Sequence, residues 1–563
     1  MAQVIEYRLV NLADVIAATD PNQPVAFDTE TVGFYSKIRL AQFYQPHWDG
    51  PLMVENPNPF ELVAFLNAQP FYCHNVHYDI TCIQENTGKN AWIPQNFDCT
   101  FLLARLHFFL KESFSLDDVV RYVLGYNPYE DNDQQKSDWG VPVLSEEQLV
   151  YAASDVVYLS QVYDAVKASR DDFSYKLDLL TTRYCLEFQN NGMPVDVSRI
   201  DAKYLENMKR IKEIALPINC NSYQQVRKYI DSNKSDDLGL AELAAKDHER
   251  AKAVRETRKL VKSNSFLTKF KDTMEDLGNG FGVIYGKFKC SARSGRTTSD
   301  DQNLQQLPRS LKSMFGVEEH GEEVILFSDF AQIQLRAVCV KTGDRTMERL
   351  FRAGEDLHNF VAKMIFGEDF TKEQRQICKT ANFGLLFGAG AVVFIAILLK
   401  QAGLWLTEAE ANAFKKKWLA LWTQIAGWQT QGIKDWKKKL PWETPLGRRY
   451  TAKMMTDQLA MQIQGFEAEV AKLAMHYMWP KLKELSAQIK LRDFIHDSYI
   501  FTAPNDPVIY EKACVIIADA MQEAWKEMCQ NLIIPDLPMP VKVRVGWNWG
   551  DIEKDVFIME HAQ

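Results

Sequence analysis

The apolar runs 25–27 and 38–43 read as strands and the stretches around them as helices, so the first 185 residues or so are expected to form an α/β domain. A new unit is expected to start near Asn191-Gly192-Met193-Pro194. From there to about Lys289 the pattern is helical and charged, and a glycine-rich segment follows (Gly278, Gly280, Gly282, Gly286). The remainder alternates short strands with long helices. In it, the β-formers Val324-Ile325-Leu326-Phe327 lead to Asp329 at a strand's carboxyl end, where helical spacing takes over. Far downstream, Phe494-Ile495-His496-Asp497-Ser498-Tyr499-Ile500-Phe501 has apolar strands flanking a polar tight turn, which presents Asp497 at a hairpin tip. Between them Thr371 and Gln374 are spaced as a capping box, and Arg375, Lys379 and Phe383 then recur along one helix face. No repeat or low-complexity tract interrupts the pattern.

A chain of 563 residues with 46% hydrophobic content is long enough for two or more cores. Its most apolar region, 389–399, is too short to span a bilayer, and no apolar leader opens the chain, so a soluble, cytoplasmic protein without a membrane partner is expected. The ten cysteines contain no CxxC pair, which argues for reduced, buried thiols and against a zinc site. A formal net charge of −9 neither requires nor forbids a nucleic-acid partner, because local distribution decides. Basic residues gather in 250–262, 415–417, 434–439 and 448–449, and acidic ones in 117–138.

Chemistry enters with the acids. In Val25-Ala26-Phe27-Asp28-Thr29-Glu30 the strand period puts both carboxylates on one face. Asn75 and Asp79, like Tyr151 and Asp155, are four apart, the spacing of one helix face. Four carboxylates drawn from three segments repel one another unless cations bind, which points to divalent metals with oxygen ligands, magnesium or manganese. Two such ions about 3.5–4 Å apart can activate a water and stabilise the leaving oxygen in phosphodiester cleavage. Asp329 and Asp497 could share a second pair. The Arg375, Lys379 and Phe383 stripe offers positive charge to a triphosphate and a flat apolar contact to its sugar or base.

The three acidic segments, in this order, resemble the tyrosine-containing branch of the DEDD exonuclease superfamily, as do Phe97-Asp98-Cys99-Thr100 and Leu102-Leu103. The segments around Asp329, Arg375 to Phe383 and Asp497 resemble motifs A, B and C of the family A DNA polymerases. Ser294-Gly295-Arg296-Thr297, Asn303-Leu304-Gln305, Gln464-Gly465 and Gly546-Trp547-Asn548-Trp549 add further matches, so the resemblance covers essentially the whole chain. It implies an α/β and α+β multidomain protein, an RNase H-like exonuclease domain (1–185) followed by a right-hand polymerase: thumb 186–290, palm 291–340 and 441–563, fingers 341–440. It implies two Mg2+ (or Mn2+) ions per active site, held by Asp28, Glu30, Asp79 and Asp155 in the exonuclease and by Asp329 and Asp497 in the polymerase. Tyr151 would orient the attacking water, with Asn75 in support. Gln332, Gln334, His358, Arg375, Lys379, Phe383 and Phe387 would contact the incoming nucleotide, Lys379 also serving as acid for the pyrophosphate. Arg296, Asn303, Gln464 and His496 would contact DNA. The implied partners are primer-template DNA and deoxynucleoside triphosphates, with helicase and single-strand-binding protein as replisome partners of a monomer.

Several positions depart from the family pattern: Gln334 for glutamate, Phe387 for tyrosine, Ser498 for glutamate, and Thr456 and Ala460 for polar or basic residues. The first two changes are linked, since a carboxylate without a hydroxyl partner costs more to desolvate than a neutral amide, and ribose exclusion would then be steric, through Gln334 and Phe387 packing. The absence of a 5′-nuclease domain suggests a bacteriophage-type replicative layout acting in a bacterial host cytoplasm. The competing reading keeps the exonuclease and treats the rest as an inactive DNA-holding region.

Overall fold

The computed structural model describes residues 5–88, 92–129, 134–552 and the strand Phe557–His561. Part of the acidic run 117–138, residues 130–133, lies outside them. The chain divides into two compact units. One comprises Met1–Asn191, Lys287–Asp300 and Leu446–Thr451, and the other Gly192–Gly286, Asp301–Pro445 and Ala452–Gln563.

The first unit is built on a six-stranded mixed sheet. Its strands run, in spatial order, Arg8–Leu9, Leu52–Glu55, Ile38–Tyr44, Val25–Thr31, Phe71–Cys73 and Phe97–Cys99. Val25–Thr31 pairs antiparallel with Ile38–Tyr44 and parallel with Phe71–Cys73, so it is central and both its edges are satisfied. Its first three residues are fully buried, with the Phe27 ring 5.4 Å from Phe43 and 5.9 Å from Phe71. Helix Glu146–Val166 packs across Val25–Thr31 and Ile38–Tyr44. It starts at a capping box formed by Ser145 and Gln148, as the Ser-x-x-Gln spacing favours.

Segments Lys287–Asp300 and Leu446–Thr451 are tied into this unit by buried arginines. Arg448 is fully buried and makes a two-pronged ion pair with Asp178 at 3.0 and 2.8 Å. Arg105 donates to the Tyr450 hydroxyl at 2.9 Å and to the carbonyls of Cys290 and Ala292. Arg448 is therefore a core residue, whereas Arg449 beside it in the basic run is exposed. A planar guanidinium paired through two parallel hydrogen bonds with a carboxylate can be buried with its charge compensated.

The second unit centres on a five-stranded antiparallel sheet ordered Lys490–Ile495, Ser498–Pro504, Glu323–Phe330, Val541–Gly546 and Phe557–His561. Helices Met455–Leu485 and Pro507–Cys529 pack on each other, and the latter covers strands Glu323–Phe330 and Val541–Gly546. A helical set 357–437 carries the segment Lys372–Gly384. Another set pairs Val197–Ile214 and Asp237–Ala245 with the long helix Glu249–Thr273. Part of the basic run 250–262 is structural here. Arg258 donates to the carbonyls of Cys220 at 2.6 Å and Ser235 at 2.8 Å. All ten cysteines are buried and none is in a disulfide. Among the described residues no helix is long and apolar enough to cross a membrane.

Candidate active sites

In the first unit, Asp28, Glu30, Asn75, Asp79, Tyr151 and Asp155 line one cavity of about 710 Å³. The strand Val25–Thr31 supplies the first two acids at alternate positions, helix His77–Asn86 supplies Asp79 in its first turn, and helix Glu146–Val166 supplies Tyr151 and Asp155. Asn75 is not on a helix face with Asp79. It lies before the helix at φ 60°, where its peptide carbonyl accepts from the Tyr78 N–H at 2.8 Å. A short amide side chain tolerates the left-handed conformation that most residues avoid, so the four-residue spacing reflects a turn entering the helix.

Asp28, Glu30 and Asp155 each offer an oxygen within 4.8 Å of the others. Asp79 stands beside them, its Oδ1 accepting from the buried Thr29 hydroxyl at 2.7 Å. Burial pushes the Asp28 carboxyl up to about 7. Glu30 is raised well above the ordinary range by burial, then by the charges of Asp28, Asp155 and Asp79. Asp79 is raised by burial and by Asp28, against the Thr29 hydrogen bond. Carboxyls so desolvated and so mutually repulsive are a donor set for hard divalent cations, which remove both penalties. The Tyr151 phenol is raised by burial and then by Asp155 and Glu30, so it keeps its hydroxyl proton.

Two residues at this site were not singled out in the sequence. Thr29 sits between the two strand acids, and that position was the available signal. Tyr129 is buried with its ring 5.6 Å from Tyr151, and its phenol is raised by burial and by Asp155. No local pattern points to it.

In the second unit, Asp329 lies in strand Glu323–Phe330, opposite Ser498 on one side and Lys542 on the other. Asp497 occupies the two-residue turn between Lys490–Ile495 and Ser498–Pro504, where His496 takes φ 58°. The Phe330 N–H donates to the Asp497 carbonyl at 3.4 Å, so strand register brings the two aspartates side by side. Arg544 donates to Asp329 Oδ1 at 3.3 Å. Asn303 precedes a short turn whose Gln305 donates to the Phe494 carbonyl at 2.7 Å, bracing the hairpin. Gln464 is half-buried on helix Met455–Leu485. Arg296, by contrast, falls in the segment Lys287–Asp300 of the first unit.

Helix Lys372–Gly384 begins with the capping box of Thr371 and Gln374, and carries a half-buried Arg375, an exposed Lys379 and a half-buried Phe383. Arg375 is not a free cation. Its guanidinium donates to Asn359 Oδ1 at 2.5 Å and Asp356 Oδ2 at 2.6 Å, and Asp356 also caps helix Leu357–Phe366. His358 is nearly buried with its ring 6.1 Å from Phe383. Phe387 is half-buried in the turn that follows the helix. Gln332 caps helix Ile333–Thr342 in a left-handed conformation, and Gln334 is half-buried in its first turn.

Comparison with known proteins places names on this architecture. Residues 199–551 match the DNA polymerase family A profile, and residues 6–169 match that of a 3′-5′ exonuclease. DNA polymerase I of Aquifex aeolicus is 28% identical, over 94% of this chain and 96% of its own. The thermostable DNA polymerase I of Thermus filiformis is 26% identical over 66% of this chain, which spans about half (48%) of that relative. The fold also superposes on the POL domain of Pol1 from M. smegmatis, solved with DNA primer-template and dNTP. The TM-score is 0.74 at 18% identity, covering 94% of this chain and 96% of that one. The chain belongs to DNA polymerase family A and carries a 3′-5′ exonuclease domain ahead of its polymerase domain.

Proposed function

We propose that this protein extends primed DNA templates with deoxynucleoside triphosphates at Asp329 and Asp497, and removes 3′-terminal nucleotides at Asp28, Glu30, Asp79 and Asp155. Two observations carry this reading: six exonuclease residues converge on one cavity in the first unit, and the second unit holds two register-paired aspartates and a cationic helix. Magnesium or manganese ions held by the two carboxylate sets would supply the Lewis acidity that activates a water or primer hydroxyl and stabilises the leaving oxygen.

The chain's own residues do the rest. Tyr151, kept protonated, orients the attacking water, and Asn75 shapes the turn that aims Asp79. Arg375 and Lys379 bind the triphosphate oxygens, and exposed Lys379 is placed to give a proton to departing pyrophosphate. Asp356 and Asn359 hold the Arg375 fork in one orientation, so less side-chain freedom is lost on binding. Phe383 packs against sugar and base, while Gln334 and Phe387 form the steric boundary against a 2′-hydroxyl. Asn303, Gln464 and His496 face the primer-template, and Arg296 contacts DNA from its own unit.

The named relatives are bacterial enzymes, which supports action in a bacterial cytoplasm. The bacteriophage layout and the helicase and single-strand-binding partners rest on the sequence reading alone. The test is to incubate a labelled primed template with Mg2+ or Mn2+, with and without the four deoxynucleoside triphosphates. Elongation with nucleotides and shortening without them is the expected result. An unchanged primer in both arms would contradict the proposal.

A further inference from the structure

Helix Lys372–Gly384 carries a second, inward-facing row that its phosphate-binding face does not explain. Asn382 is buried at 1% exposure, yet its amide is doubly engaged. Its Oδ1 accepts from Trp418 Nε1–H at 2.8 Å, and its Nδ2 lies 2.9 Å from His358 Nδ1. An indole nitrogen can only donate, so the atom facing Trp418 must be the amide oxygen and the atom facing His358 the NH2 group. That group donates, so His358 Nδ1 must be an unprotonated acceptor. A neutral imidazole with an unprotonated Nδ1 carries its proton on Nε2. Trp418 is itself fully buried on helix Glu408–Leu421, so the amide cannot flip without stranding a buried donor.

We infer that Trp418 and Asn382 are positioning residues that lock His358 as the neutral Nε2–H tautomer, making it a fixed hydrogen-bond donor to the oxygens of the incoming nucleotide's triphosphate. The inference rests on the proposed role of His358 as a triphosphate contact.

The electrostatic setting agrees. Burial lowers the imidazole to about 4. Asp356 opposes the shift and Arg375 and Lys379 add to it. Of the other helices packed on Leu357–Phe366, Arg345–Arg352 presents Arg349 to the Phe360 ring. Glu408–Leu421 presents Trp418 to Asn382 and Lys417 to the Ile365 carbonyl. Among the described residues, Asp356 is the one anion acting on His358. Arg375 and Lys379 thus supply the charge, and His358 supplies a directional neutral donor. A neutral donor whose state does not change with pH gives nucleotide binding a contact that is the same from pH 6 to pH 9.

The test begins on the wild-type protein, without nucleotide. Nitrogen NMR with 15N-histidine, assigned by loss of signal in His358→Gln, should show Nδ1 as an unprotonated ring nitrogen and Nε2 as N–H throughout pH 6 to 9. A protonated Nδ1 would overturn the inference. The near-isosteric Asn382→Asp variant then places a carboxylate against Nδ1, which protonates that atom. His358 becomes imidazolium at low pH, and at high pH a neutral Nδ1–H ring whose Nε2 lone pair opposes the phosphates. The ratio of variant to wild-type KM for deoxynucleotide should rise about tenfold between pH 6 and pH 9. The ratio of kcat values should stay within a factor of about two. A pH-independent KM ratio in a folded variant would overturn the inference. If the NMR signature holds but His358→Gln leaves deoxynucleotide KM unchanged, the triphosphate role fails while the tautomer lock stands.

Discussion

Asp28, Glu30, Asp79 and Asp155 are drawn from a strand and two helices into one cavity, whereas Asp329 and Asp497 sit at the ends of neighbouring strands with the Asp329 side chain still 44% exposed. In the first site burial and mutual repulsion raise the acids, so the fold itself stores a demand for cations. In the second, strand register places the acids and Arg544 pairs with one of them. Acids carried on a central strand and two packed helices depend on the packing of those elements. A pair of acids placed by strand register depends instead on that register.

This contrast can be broken or sharpened in order of expected effect. Arg448→Met leaves Asp178 buried without its two-pronged partner in the first unit, and should destabilise that unit by roughly 3–5 kcal/mol. Thermal melts should show the loss, with degradation failing at a lower temperature than synthesis. Equal failure of both activities would remove the distinction.

Asp493 carries the same burial effect in the second unit. It is buried at 1% exposure, its Oδ2 has no partner among the described residues, and burial raises it from 3.8 to about 7. The unfolded chain therefore loses this proton first. The folded state is penalised increasingly as pH rises from 3.8 to about 7 and fully above that. Asp493→Asn should raise stability by roughly 2–4 kcal/mol at pH 8 and change it little near pH 4. Denaturant titrations at the two pH values check this, and a gain at pH 4 alone would reverse the sign. The smallest effect is expected for Tyr151→Phe, which keeps the ring packed against Tyr129 and removes only the donor. Single-strand degradation should slow by about tenfold with extension unchanged.

Local signals carried much of this into the sequence. Two acids at strand period, the Thr371 and Gln374 box, and the polar turn at Asp497 are short-range patterns, and the structure forms each where the spacing places it. What the sequence hid depends on distant partners. Asn75 adopts a left-handed turn because the strand Phe71–Cys73 must reverse into helix His77–Asn86, which spacing alone reads as helix. Arg448 looks like half of a basic patch because Asp178 is far away in sequence. The engagement of Arg375 by Asp356 and Asn359, and of His358 by Asn382 and Trp418, crosses three helices and leaves no periodic trace.

The most direct measurement compares wild type, Asp28→Ala and Asp329→Ala on one labelled primed template with Mg2+, each with and without the four deoxynucleoside triphosphates. The expected result is that Asp28→Ala still extends the primer but no longer shortens it, while Asp329→Ala shortens it and cannot extend it, each lost activity falling by at least ~10³-fold. Wild-type-like extension by Asp329→Ala, or wild-type-like shortening by Asp28→Ala, would contradict the assignment of the two sites.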